Sequence, residues 1–117
     1  MIYNNYFNKE FIFVLVIWES RIKPDLMAGK NVMVIAHGNS LRGIVKIVDN
    51  LTDAEITRIY IPNGIPLVFK FNRNMTTLPL KDAVKPLSGQ FLEKEGLLKA
   101  ALAKEEELAQ RVLISFF

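Results

Sequence analysis

Cysteine is absent from this 117-residue chain, and histidine occurs once, at position 37. Without cysteine there is no disulfide, no thiolate metal site and no cysteine nucleophile. A single imidazole excludes a multi-histidine metal centre within one chain, and no metal is expected. The lack of cysteine also suits a reducing compartment, so a cytoplasmic location is the expectation. Dense blocks of one charge are missing too. The 15 basic and 12 acidic residues leave a net charge of +3. That mild excess gives no electrostatic footprint for nucleic acid, though it is compatible with a small anionic ligand.

A membrane-length apolar run is also lacking. Phe11 to Trp18 reads FIFVLVIW, eight residues, where a spanning helix needs about 20. A secretory signal fits poorly: Lys9 is offset by Glu10, and no small-residue cleavage site follows at WESRIK. No membrane partner is expected. The segment reads instead as a buried strand or helix piece, and its β-branched content allows a strand. With secretion unsupported, Asn50-Leu-Thr52 and Asn74-Met-Thr76 are chance matches to the glycosylation pattern.

What is present is half hydrophobic, enough for one small globular domain. Residues 1–17 differ in composition from the rest. Trp18, Ile22 and Leu26 recur at spacing four, predicting a short amphipathic helix. Pro24 makes it irregular and Gly29 stops it. Val32 to Ala36 (VMVIA) is a continuous apolar run, the pattern of a strand buried on both faces. Leu41, Ile44, Val45 and Val48 predict a helix with one apolar face, capped by Asn39 or Ser40 and ended by Asn50 in a left-handed turn. Thr52 to Glu55 is a capping box opening a second helix to about Arg58. Ile61 to Pro66 is a constrained turn, Leu67 to Phe71 (LVFKF) a strand, and Asn72 to Asn74 another turn. Gln90 to Arg111 is built of strong helix formers, with Leu98, Ala101, Leu102, Ala109 and Val112 as a loose apolar stripe and Lys104 to Glu107 facing water.

The chemistry is concentrated where the expected strand meets the expected helix. A helix start exposes unpaired amides and partial positive charge, which suit an anion. Gly38 puts no side chain in the way of a ligand. His37 sits at the rim, where its imidazole donates hydrogen bonds and, when protonated, adds positive charge. Asn39 contributes a carboxamide that donates and accepts. Arg42, one turn inside, is read as structural, because anions rather than cations are favoured there.

These residues resemble a known family. Gly29-Lys30, then VMVIAHGNSLRGIVK, then Leu51-Thr52-Asp53-Ala54-Glu55-Ile56, and the Pro62-Asn63-Gly64-Ile65-Pro66 turn with its following strand occur in the order found in cofactor-dependent phosphoglycerate mutases, of the histidine phosphatase superfamily. Upstream, Trp18-Glu19 and Ile22-Lys23-Pro24 also fit. The resemblance spans about Trp18 to Asn74, with a looser fit beyond. It implies an α/β, three-layer fold with a mostly parallel sheet, of which residues 18–117 would be the C-terminal part, with residues 1–17 outside the match. It implies isomerisation of 3-phosphoglycerate and 2-phosphoglycerate in glycolysis and gluconeogenesis, primed by 2,3-bisphosphoglycerate. By the same resemblance His37 stabilises the transferring phosphoryl group, and Gly38 and Asn39 bind substrate oxygens.

The departures are as definite. The family's nucleophilic histidine lies in an Arg-His-Gly-Glu motif, on a strand between the two that match Val32–Ala36 and Leu67–Phe71. No such motif occurs here. The proton-donating glutamate and the phosphate-clamping arginines and lysine have no match either. The expectation is therefore an inactive chain, acting as a phosphate-binding module or pairing with a full-length mutase or a second copy. A histidine phosphatase, the other alternative, would need the same missing nucleophile.

Overall fold

The computed structural model describes residues 11–93 and 96–115, the last eight by backbone only. Residues 11–17 are helical (α1) and run directly into a π-helical turn, Trp18–Ile22, followed by α2, Lys23–Met27. Pro24 accounts for the widened turn. It has no N–H to donate and its ring crowds the preceding carbonyls. The N–H of Lys23, just before it, bonds the carbonyl of Trp18 five residues back, and a single π turn relieves that crowding. Gly29, at φ +79°, ends the helix. Its N–H bonds Leu26 O and that of Lys30 bonds Asp25 O, the paired closure of a Schellman motif.

The next helices follow their sequence signals closely. α3 is Gly38–Val48 and α4 is Asp53–Thr57. Asn50, at φ +50°, closes α3, with Leu51 N–H bonding Lys46 O. Thr52 and Glu55 make both reciprocal bonds of the capping box, each at 3.1 Å. The start of α3 differs from expectation. Its N-cap is His37 rather than Asn39 or Ser40, and no side-chain cap bond is made.

The strands depart further. Val32–Ala36 forms no strand, and Met33 and Ile35 are 85% and 89% exposed. The run is apolar enough for burial on both faces, but among the described residues nothing pairs with it. The expected strand Leu67–Phe71 divides into β1, Leu67–Val68, and β2, Lys70–Phe71. β2 pairs antiparallel with β3, Thr77–Leu78, and β1 with β4, Gln90–Phe91. Both described sheets are thus two-stranded and antiparallel, where a mostly parallel sheet was expected. The split falls at Phe69, where Gly89 crosses so closely that an added Cβ would lie 2.9 Å from Val68 O.

Of the two readings of Phe11–Trp18, the helix holds: the segment is helical throughout and supplies no strand. One further expectation is corrected. The C-terminal helix, α5, is Leu97–Ser115 and begins after Gly96 rather than at Gln90. Residues 1–10, Lys94, Glu95 and the final pair lie outside the described residues, as do the side chains of Ala109 and Val112 in the expected stripe.

The core lies where α3, α4 and the β1–β4 pair converge. Ile56, 2% exposed, is its most buried member, with Val45, Leu51, Leu87 and Phe91 around it. Leu98 brings the start of α5 against this cluster. α1 docks separately: Val14 packs against Gly43, where a Cβ would sit 3.3 Å from Val14 Cγ1. Trp18 stacks obliquely on Phe71, centroids 6.1 Å apart. No described helix is long and apolar enough to cross a membrane.

Candidate functional site

The path from sequence to site runs through one bend. Residues 32–36 belong to no helix or strand and enter α3 through His37, whose backbone is at φ −67°, ψ 155°. Its carbonyl accepts the first helical bond, from Leu41 N–H at 3.0 Å. The imidazole is exposed and does not cap the helix. The amides of Gly38 and Asn39 therefore keep the donor capacity of an uncapped helix start. Gly38 has open space where a side chain would be: outside its chain neighbours and its own helix backbone, no described atom would lie within 4 Å of an added Cβ. Asn39 is exposed beside it. The three residues singled out in the sequence thus share one accessible rim.

Arg42 is not part of that rim. Its Nη2 donates to the carbonyls of Ile56, at 2.9 Å, Thr57, at 3.3 Å, and Ile59. These are carbonyls at the C-terminal end of α4, where a cation offsets the helix dipole and satisfies orphan acceptors. The structural reading of Arg42 holds.

Below the rim, Asp49 at the end of α3 ties the site's helix to the strands. Its carboxylate accepts from Ser88 N–H at 2.9 Å, from Ser88 Oγ and from Thr77 Oγ1 at 3.3 Å. No local sequence signal marks Asp49, because its partners lie 28 and 39 residues away. Lys46 forms an ion pair with Asp53 and sits 4.7 Å above the Phe11 ring.

A described cleft, about 460 Å³, lies at the end of α3 away from the rim, lined by Ile47, Val48, Trp18, Phe71, Arg73 and Lys23 among others. Eleven helical residues separate the two ends by about 16 Å. Among the described residues, no group of three or more His, Asp or Glu side chains is placed to hold a metal ion. Chemically, the rim can hydrogen-bond an oxyanion, but it pairs no nucleophile with a base.

Comparison with known proteins fixes the ancestry. No family model matches the chain. Curated relatives do. Proteins named 2,3-bisphosphoglycerate-dependent phosphoglycerate mutase from Bifidobacterium longum strain DJO10A, from strain NCC 2705 and from subsp. infantis strain ATCC 15697 are each 43% identical to it over 86 residues. The match covers 74% of this chain and 32% of each relative. The chain is a partial homologue of the phosphoglycerate mutases. It spans about a third of the length of the curated mutases it matches. The names of those mutases indicate dependence on 2,3-bisphosphoglycerate.

Proposed function

We propose that the chain is a partial phosphoglycerate mutase that holds a phosphorylated three-carbon acid at the start of α3 and does not turn it over alone. His37 donates from its imidazole to a phosphoryl oxygen. The amides of Gly38 and Asn39 and the Asn39 carboxamide take the remaining oxygens. In a complete mutase the same imidazole would stabilise the transferring phosphoryl group during the isomerisation, which belongs to cytoplasmic glycolysis and gluconeogenesis. On this reading the chain is a portion of a larger three-layer α/β architecture.

One observation carries the reading. His37 stands exposed at a helix start that no side chain caps, beside an unobstructed Gly38. The residues at the rim fit a single phosphoryl group. A bisphosphate would need a second cationic clamp, and Arg42 is committed to α4. When bound to a mutase, 2,3-bisphosphoglycerate supplies the phosphoryl group for a nucleophilic histidine. This sequence has no histidine besides His37, so no transfer step is assigned to the chain.

Titration with 3-phosphoglycerate, read on the His37 ring resonances, tests the binding. A saturable shift at millimolar ligand is expected, and unchanged resonances would defeat the proposal. Incubation of the purified chain with 3-phosphoglycerate and 2,3-bisphosphoglycerate tests the rest. No 2-phosphoglycerate should form, and steady turnover would show the chain to be a working enzyme.

A further inference from the structure

The turn that carries the chain from α4 to β1 contains the one asparagine of this sequence that is followed by glycine, Asn63-Gly64. Asparagine is a thermolabile residue. The carboxamide carbon of its side chain can close a five-membered ring with the next backbone nitrogen, and a following glycine hinders that closure least. The fold leaves this pair free to react. Asn63 and Gly64 are both exposed. Gly64 is at φ +77°, and outside its chain neighbours no described atom would lie within 4 Å of an added Cβ. Among the described residues, neither the Asn63 carboxamide nor the Gly64 N–H has a hydrogen-bond partner.

The other described asparagines are placed less favourably. Asn72 Oδ1 accepts from the N–H groups of Asn74 and Thr76. After Asn74, the N–H of Met75 bonds Asn72 O; after Asn50, that of Leu51 bonds Lys46 O. Asn39 lies within α3. Asn31 precedes Val32, whose branched side chain crowds the ring.

We propose that Asn63-Gly64 is a self-modification site, at which the chain converts Asn63 to isoaspartate and aspartate without an enzyme. Hydroxide takes the Gly64 amide proton. The nitrogen attacks Asn63 Cγ and forms a C–N bond; the Cγ–Nδ2 bond breaks, and ammonia leaves with a proton from water. Water then opens the succinimide at either carbonyl. Opening at Cγ gives an ordinary aspartate. Opening at the main-chain carbonyl routes the backbone through Cβ and Cγ, one methylene longer. The net change consumes one water, releases one ammonia and adds one negative charge. The position is mechanically sensitive. Pro62 is buried, and Ile61 and Ile65 on either side pack against the core. A longer backbone between them shifts one against the other. Pro66 O, which accepts from Leu92 N–H at 2.8 Å, lies directly beyond, so conversion loosens the join between α4 and the β1–β4 pair.

Holding the full chain for days at neutral and at mildly alkaline pH, then mapping its peptides by mass, tests this. The peptide bearing position 63 should show OH in place of NH2, with isoaspartate in excess and faster conversion at the higher pH. Asn63→Gln keeps a carboxamide but needs a larger ring, and should slow conversion at this position about tenfold or more. Its circular dichroism should match the parent, because the Asn63 side chain is exposed and unbonded. In the converted chain, separated by its added charge, hydrogen exchange at Leu92 should quicken. An Asn63 that stays unchanged in the folded chain, whether or not it converts in urea, would overturn the proposal. So would conversion no faster than at Asn39 or Asn74, or a converted chain with unaltered exchange at Leu92.

Discussion

The guanidinium of Arg42 donates to the carbonyl oxygen of Ile56 at 2.9 Å, joining the N-terminal half of α3 to the last turn of α4. Ile56 is also the most buried side chain of the core. The same nitrogen reaches Thr57 O and Ile59 O. Arg42 therefore fixes the rim helix by its neighbour rather than by a ligand. Arg42→Ala should cost about 1–3 kcal/mol, because charged hydrogen bonds are lost and part-buried carbonyls are left without a donor. Urea unfolding followed by circular dichroism measures it. Phosphoglycerate affinity at a temperature where the variant is folded should be little changed, which separates this role from ligand binding. Arg42→Lys should rescue only partly, since the shorter lysine side chain holds its ammonium short of the position that Nη2 occupies.

His37 should behave in the opposite way. Its side chain is exposed and unbonded to the helix, so His37→Ala should leave stability within about 0.5 kcal/mol of the parent. Phosphoglycerate binding should weaken about tenfold or more, the scale of a hydrogen bond to a charged group. With the ring gone, the backbone amide resonances of Gly38 and Asn39 report the binding. Equal affinity in parent and variant would remove His37 from the site.

These two residues mark how far the sequence alone reaches. The structural role of Arg42 and the rim position of His37 were legible because helix ends obey local rules: which charge the dipole favours, and which backbone groups lack partners. Asn50, Gly29 and the Thr52–Glu55 box were legible for the same reason, since each closes a bond within a few residues. Val32–Ala36 was not, because its apolar pattern records a demand for neighbours without saying whether they are present. Gln90–Phe91 was missed in the other direction. Gln and Leu around it favour helix, but its pairing with Leu67–Val68, more than twenty residues earlier, overrides local preference. Asp49 falls in the same class, as its bonds to Thr77 and Ser88 are set by tertiary closure.

Gly89 tests that closure. A Cβ at this position would lie 2.9 Å from Val68 O and 2.9 Å from Phe69 Cε1. The phenyl ring can rotate away, but the carbonyl belongs to β1 and cannot move without disturbing the β1–β4 pair. Gly89→Ala should destabilise by about 1–3 kcal/mol, as overpacking does. Hydrogen exchange should quicken at Leu92, whose N–H bonds Pro66 O at 2.8 Å across the same join. Unaltered exchange there, with unaltered stability, would mean that β1 and β4 do not meet at Gly89 as described.

The Thr52–Glu55 box gives α4 a dependence on pH. The Thr52 backbone N–H, and then its hydroxyl, hold the Glu55 carboxyl below its ordinary value. A depressed folded-state pKa stabilises the fold at pH above the unfolded-state value, and the contribution disappears as pH falls through the folded-state one. α4 should therefore loosen on acidification below the usual carboxylate range, while neutral conditions leave it intact. Because Arg42 binds the other end of α4, that loosening should reach the rim through α3. Glu55→Gln keeps a neutral acceptor for the Thr52 N–H but removes the titration. The variant should be less stable than the parent at neutral pH and converge with it in acid, in urea titrations run at both conditions. A stability difference that stays constant across the acid range would show that the box contributes nothing through its charge.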